Sequence, residues 1–264
     1  MLGRSTALRL LAGFFLLIVL LFLYAPLVPP AIESFSGPNV LSGSLLSNYS
    51  AIFDDARLLK AVQVSIMVGL ITAVVAPLLA LIAAQSVRNW QRPRLIVGIL
   101  LVPLFVPGVS MGVSTALFFK LLGLPPSIFT IAAVQIIWAL PFAFLVILTV
   151  MATFDQVYLE AAHMCGAGPI RAFFEVELPQ IHPGLTGASV FSLIISFNET
   201  IRTAIVQGGN NTVQTYIWSQ YQQVGLSPKT YALMTLLIAT TLLLLGILAF
   251  LDWWGAKNNR NGEV

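Results

Sequence analysis

Between Leu10 and Leu23 no side chain carries a charge or a hydrogen-bonding group. This run is the centre of a longer apolar stretch, Leu8 to Val28, and stretches of similar length recur along the chain. A run of about 20 apolar residues, rising about 1.5 Å each, crosses the hydrocarbon of a bilayer. Charged residues make up 9% of the chain and hydrophobic ones 58%, whereas a soluble domain carries about 25% charged residues. A water-soluble globule of this composition would have no polar skin. The runs are continuous and rich in Leu, Ile and Ala, which excludes the alternating pattern of a membrane β-barrel. The fold class is therefore an all-α polytopic membrane protein, one membrane domain over residues 1–264.

Six spans are predicted, at about residues 8–28, 60–85, 95–119, 127–154, 183–206 and 231–253. Arg4 and Arg9 before the first run have the look of a secretory leader. The run is too long for one, and Pro26, Pro29 and Pro30 follow it without a small-residue cleavage site. Pro103 and Pro107 interrupt the third span, and Pro141 lies inside the fourth. The connections are a loop at 31–59, a short basic loop with Arg88, Arg92 and Arg94, a polar segment at 155–182 and a polar loop at 207–230. The tail at 257–264 reads as polar and frayed. With the N-terminus inside, the inner side holds Arg4, Arg9, Arg88, Arg92, Arg94, Arg171, Lys257 and Arg260, and the outer side Arg57, Lys60, Lys120 and Lys229. Eight basic residues against four place both termini and the 155–182 segment in the cytoplasm. Trp90, Trp253 and Trp254 fall near the inner boundaries, where interfacial aromatics belong.

The same residues exclude several chemistries. Cys165 is the single cysteine, so no internal disulfide or multi-cysteine metal site exists. His163 and His182 are far apart and read as loop residues, so no metal site and no catalytic cluster is expected. The net charge of +3 reflects basic loops that fix topology, not nucleic-acid binding. No sequence matches the phosphate-binding G-x-x-x-x-G-K-[ST] pattern. The chain is expected to bind no cofactor and to be no enzyme; if ATP drives it, another chain binds the ATP and its Mg.

The polar segment narrows the reading. Glu160-Ala161-Ala162 begins a helix, Gly166, Gly168 and Pro169 break it, and a second run from Ile170 to Glu177 stops at Leu178-Pro179. Glu-Ala-Ala, three residues, Gly, nine residues, Val176, one residue, Leu178-Pro179 is similar to the EAA loop of permease subunits from bacterial ATP-binding-cassette importers, with Val176 where Ile is usual. The resemblance implies a cytoplasmic coupling helix between the fourth and fifth spans. Glu160, Ala161, Ala162, Gly166, Leu178 and Pro179 would then be the residues that couple it to an ATPase. It further implies a MetI-like fold and a bacterial inner-membrane location. The implied partners are a second permease subunit, two ATPase subunits and a periplasmic solute-binding protein.

A second resemblance covers the last third. Ser196-Phe197-Asn198-Glu199, Thr215 to Ser219, Gly225-Leu226-Ser227-Pro228 and, in the third span, Pro103 to Pro107 look like the second permease of spermidine/putrescine-type importers. That implies a polyamine as the leading cargo. Importers for opines, aminophosphonates, thiamine and iron share the branch. Asn198 stands where the family often has a first carboxylate.

Charge inside a membrane is expensive and marks candidate function. Glu199 and Arg202, three residues apart in the fifth span, share a helix face. Either they pair locally, or one of them faces the path of a solute, with Ser196, Asn198 and Thr203 adding neutral hydrogen bonds. Pro107 belongs either to a path lining or to a packing kink, and Gly108-x-x-x-Gly112 favours close packing. Trp138 and Phe142 read as lipid-facing or core residues rather than a cation cage. An ion-coupled secondary transporter would predict internal repeats and several embedded acids. A membrane enzyme would predict a His, Asp or Cys cluster near a boundary, and a mere anchoring module would need no broken helices.

Overall fold

The computed structural model describes residues 2–37, 44–90 and 93–261; the predicted basic-loop residue Arg92 and the last tail residues, 262–264, lie outside these, as do the side chains of Arg4, Trp253, Lys257 and Arg260. Every regular element among the described residues is helical. In chain order these are α1 (Leu2–Tyr24), a 3-10 turn (Ala25–Leu27), α2 (Val28–Glu33), α3 (Ser47–Phe53), α4 (Ala56–Asn89), α5 (Pro93–Phe105), α6 (Gly108–Leu121) and α7 (Ile128–Thr153). Then come α8 (Val157–Met164), α9 (Pro169–Ala172), a π-helical turn (Phe173–Glu177), α10 (Leu178–Phe197), α11 (Ile201–Val206), α12 (Val213–Gln223) and α13 (Pro228–Asn261).

Among the described residues four stretches are long and apolar enough to cross a membrane: Leu11–Glu33, Ala56–Arg88, Ile128–Thr153 and Pro228–Ile247. The pair α5 and α6 makes a fifth if counted as one span, but its halves meet at 102°. Pro107 is the cause: it caps α6 in an extended conformation (φ −54°, ψ 136°), and the helix cannot run through it. The predicted fifth span, 183–206, is revised. Its helix starts earlier, at Leu178, and breaks at Asn198–Thr200 before α11. Gln180, His182, Thr186 and three serines dilute its hydropathy below that of the other spans. His182 therefore lies in a helix, not a loop. The loop expected at 207–230 contains α12, whose Val213, Thr215, Tyr216 and Ile217 are buried. The tail is helical through Asn261 rather than frayed.

The chain divides into two compact units. The smaller comprises residues 1–56 and 220–240. In it Asn48 is buried and its amide donates to the carbonyls of Ser34 (2.8 Å) and Ser36 (2.9 Å), which ties α3 to the end of α2. Lys229 at the start of α13 pairs with Asp55. The side chains of α1 from Leu11 to Tyr24 are exposed throughout, as befits a lipid-facing helix.

The larger unit, residues 57–219 and 241–264, is built on α7. Its N-terminus is held by a capping box between Ser127 and Thr130. One apolar cluster joins Ala80, Leu81 and Ala84 of α4, Phe144 and Ile147 of α7 and Ile181 of α10. A second joins Val64 and Val68 of α4, Ile131 and Val134 of α7 and Val206 of α11. Small residues set the closest approaches. A β-carbon on Gly184 of α10 would stand 2.6 Å from Val150 of α7, and one on Gly112 of α6 would stand 2.6 Å from Ile205 of α11. With little hydrophobic force between helices in lipid, such contact supplies the association.

Candidate functional site

Two regions carry the candidate residues. The first is the 155–182 segment. Asp155 accepts from the amide of Val157 (3.0 Å) and so starts α8. The helix ends at Cys165, and Gly166 adopts a left-handed φ of +85°. The amide of Gly166 donates to His163 (2.9 Å) and that of Ala167 to Ala162 (3.0 Å), the paired bonds of a Schellman cap. A β-carbon on Gly166 would meet nothing within 4 Å, so the glycine is required by its backbone conformation and not by crowding inside this chain. Gly168 then caps α9, with Pro169 in its first turn. The result is a fixed elbow. Glu160, Ala161, Cys165 and Gly166 are exposed on it, Ala162 is half-buried, and Met164 stands 89% exposed.

Leu178 and Pro179 do not stop the second helical run, as the pattern suggests; they begin α10. Proline is tolerated there because a first turn has no inward use for its amide. The π turn absorbs the change in register: the amide of Leu178 reaches back five residues to the carbonyl of Phe173. Glu177, at the end of that turn, is 1% exposed. Arg88 of α4 grips it with two donors, NH1 to Oε1 at 2.7 Å and NH2 to Oε2 at 3.0 Å, and the Gln85 amide adds a third bond at 2.6 Å. Nothing in the sequence pairs residues 89 positions apart. The available signal was a carboxylate two residues before a proline-started apolar helix, in a chain with few other acids.

The second region is the break between α10 and α11. The side chain of Asn198 is exposed and its amide donates to the Ile194 carbonyl at 2.9 Å, closing α10. Glu199 sits in the break, not on a shared helix face with Arg202. Its Oε1 accepts from the Arg202 amide (2.9 Å) and its Oε2 from Arg202 NH1 (2.7 Å). Both residues are buried, at 5% and 8% exposure. The carboxylate thus caps the start of α11 and neutralises its own neighbour. The local ion pair is the arrangement present.

Arg202 has further partners that the sequence did not suggest. Its guanidinium carbon lies 3.7 Å from the centroid of the Trp138 ring, and its Nε donates to the sulfur of Met111 at 3.2 Å. Trp138 is therefore an aromatic platform for a cation, against the expectation of a lipid or core residue. Phe142 stays with the packing reading, edge-on to Trp138 at 5.3 Å and to Phe191 at 6.0 Å. Gly108, placed by the Pro107 turn, passes the guanidinium: a β-carbon there would lie 3.4 Å from it. Pro107 itself is exposed.

Beside this cluster runs a buried polar ladder. Ser196 donates to the Gln135 carbonyl oxygen, and the Gln135 amide donates to Thr203 at 2.9 Å. Ser192 and Thr72 are buried on the adjoining helix faces, each hydroxyl without a hydrogen-bond partner. Gln135 was legible as the one amide in the apolar run of α7, yet periodicity alone does not assign it partners. Among the described residues no group of His, Cys, Asp or Glu is arranged to hold a metal.

Known proteins resemble this chain along most of its length. Residues 76–260 match the family described as binding-protein-dependent transport system inner membrane component. The spermidine/putrescine transport system permease protein PotC of Escherichia coli (strain K12) is 26% identical over 242 residues, 89% of this chain and 91% of that protein. The putrescine transport system permease protein PotI of the same organism is 27% identical over 252 residues, covering 90% and 88%. A chain of the crystal structure of a bacterial ABC transporter involved in the import of the acidic polysaccharide alginate shares the fold, with a TM-score of 0.69 at 16% identity over 93% of this chain and 96% of that one. The match to the family model covers well over half of the sequence, and the chain belongs to the inner membrane components of binding-protein-dependent transport systems.

Proposed function

We propose that the chain forms one half of the translocation path of an ATP-driven importer for a small cationic solute, a polyamine in the first place. What carries the choice of cargo is the likeness, over about nine tenths of the chain, to permeases named for spermidine and putrescine. The site chemistry agrees. A buried carboxylate, Glu199, and the face of Trp138 are the two features that bind an ammonium group. Arg202 holds both in this conformation. A passing polyamine would compete with the guanidinium for them, and Ser196, Gln135 and Asn198 would offer neutral hydrogen bonds along the way.

The machinery around it follows from the same reading. Six crossings put both termini in the cytoplasm, with α10 and α11 together as the fifth. A second permease completes the path, two ATPase subunits bind ATP and Mg, and a periplasmic binding protein delivers the solute. The elbow at 155–182 is the coupling segment, with Glu160, Ala161, Ala162 and Gly166 docking on the ATPase and Leu178 and Pro179 joining it to α10. Closure of the ATPase dimer moves the elbow, and the helices attached to it exchange outward- and inward-facing cavities.

The test is solute-stimulated ATP hydrolysis by the complex reconstituted with its binding protein. Spermidine, putrescine, thiamine, an aminophosphonate, an opine and ferric iron are each supplied. Stimulation by a polyamine is expected. Stimulation by an anionic solute alone would overturn the cargo, and failure to assemble with an ATPase would overturn the whole reading.

A further inference from the structure

Glu177 and Arg88 are not among the residues assigned above to docking or to the solute path, yet the Glu177 carboxylate is buried and paired with Arg88. We propose that Arg88, Glu177 and Gln85 are a strut that makes α4 move with the coupling segment, so that Arg88 and Glu177 are positioning residues for ATP-driven transport. The inference rests on the coupling reading of residues 155–182.

The backbone route out of the elbow is weak at one place. Between the elbow and α10 the hydrogen-bond ladder passes through the π turn, where the amide of Leu178 bonds five residues back. Pro183, inside the second turn of α10, then removes a further amide donor from the ladder. A displacement of α8 and α9 would be absorbed by bending at this joint if the backbone alone transmitted it. Glu177 is the last residue of that turn, and its carboxylate is clamped from outside the segment. The fork of Arg88 makes two parallel bonds to it, which fixes direction as well as distance. Gln85 bonds both partners, donating to Glu177 and accepting from Arg88, so the three side chains close a ring. Residues 85 and 88 lie one turn apart on α4 and present a single face to Glu177.

Two further observations join this ring to the rest of the machine. On its outer side a polar cleft of about 490 Å³ has Glu160, His163, Gln85, Arg88 and Glu177 in its walls, so the exposed elbow and the buried ring share one cleft. Inward, α4 continues from Arg88 past Ala84 and Leu81, packed with Phe144 and Ile181, to the face that carries Thr72 and Gly69. A β-carbon on Gly69 would stand 2.9 Å from Leu193 and 3.7 Å from the Ser196 hydroxyl. One helix, continuous through Pro77, therefore runs from the ring to the buried polar ladder, about 24 Å away at helical rise from 88 to 72. Without the ring, α4 would touch the elbow through no charged contact among the described residues.

The test uses the complete complex with its ATPases. Cys165→Ser removes the single native thiol, and Thr72→Cys places a reporter of similar size at the buried hydroxyl. The maleimide labelling rate of Cys at 72 is compared in the nucleotide-free complex and in the complex trapped with ATP and vanadate. A nucleotide-dependent difference is expected in the otherwise unaltered complex, shrinking about tenfold in Arg88→Gln and in Glu177→Gln while the ATPases remain bound and hydrolyse ATP. A merely structural pair would lower the melting temperature and leave the difference intact. That result, or equal labelling in both nucleotide states before the ring is altered, overturns the inference. Should either glutamine variant fail to assemble, Arg88→Lys, which keeps the charge and loses the fork, carries the comparison, and an undiminished response there is equally fatal. Absence of an ATPase complex with the native ring would instead refute the coupling reading itself.

Discussion

The guanidinium of Arg202 stands 3.7 Å over the ring of Trp138 while its NH1 donates to Glu199 at 2.7 Å. The cation is satisfied on one side by a carboxylate and on another by a π face, in surroundings where water cannot help either. Removing one member leaves the other charge buried and alone, at a cost of about 3–5 kcal/mol. Removing both costs far less, because no orphan charge remains. We therefore expect Glu199→Gln and Arg202→Gln to lower the melting temperature of the purified complex sharply, and the double variant to lie nearer the native protein than either. Trp138→Leu should cost about 2 kcal/mol, and Trp138→Phe less. A double variant that sums the two single losses would show that the pair is not coupled.

The contact of α6 with α11 offers a steric test. A β-carbon at Gly112 would lie 2.6 Å from Ile205 Cδ1 and 3.2 Å from the Arg202 α-carbon. The first neighbour is the tip of a side chain and the second is backbone. Gly112→Ala should then destabilise by about 1–3 kcal/mol, and Ile205→Val, which removes Cδ1, should recover part of it. Full recovery is not expected, because the backbone contact stays. Thermal denaturation of the four proteins in one detergent settles the ranking; an Ile205→Val background that makes no difference would refute the steric account.

Much of this was legible beforehand and some was not, for identifiable reasons. The apolar runs of α1, α4, α7 and α13 stand out because lipid demands length and composition, which sequence states directly. The elbow was legible because glycine and proline impose backbone geometry wherever they occur, and Gly166, Gly168 and Pro169 punctuate it in order. The break at Asn198–Thr200 was hidden. It is caused by a carboxylate turning back onto the Arg202 amide, and in sequence the same two residues read as neighbours on one helix face. The role of Leu178-Pro179 was reversed for a similar reason, since proline ends one helix and starts another equally well. Arg88 with Glu177 and Trp138 with Arg202 are tertiary pairs, joined by helix packing that no local spacing encodes.

Gly166 separates two explanations of the same motif. Its φ of +85° sits in a region that costs an ordinary residue about 1–2 kcal/mol, while the space around it within this chain is open. If its task is to terminate α8, Gly166→Asn should keep most ATPase binding, since Asn enters the left-handed region readily, and Gly166→Ala should lose more. If the task is close approach of the ATPase backbone, both side chains should fail, and Asn, the larger, should fail worse. We expect the first ranking, measured as ATPase retained on the immobilised permease.

Glu160 and Cys165 together test whether the elbow is the docking surface. Both are exposed, Glu160 within α8 and Cys165 at its C-cap. Glu160 joins no salt bridge among the described residues, so Glu160→Lys should leave the stability of the isolated permease within about 0.5 kcal/mol of native, as for surface substitutions generally. It should nevertheless abolish co-purification of the ATPase by reversing the charge offered to it. Cys165 supplies the matching readout without a new mutation. Its thiol should react with maleimide in the permease alone and be protected in the complex, with protection lost in Glu160→Lys. Equal labelling of Cys165 with and without bound ATPase would place the docking surface elsewhere. Co-purification and protection both retained in Glu160→Lys would take Glu160 out of the contact.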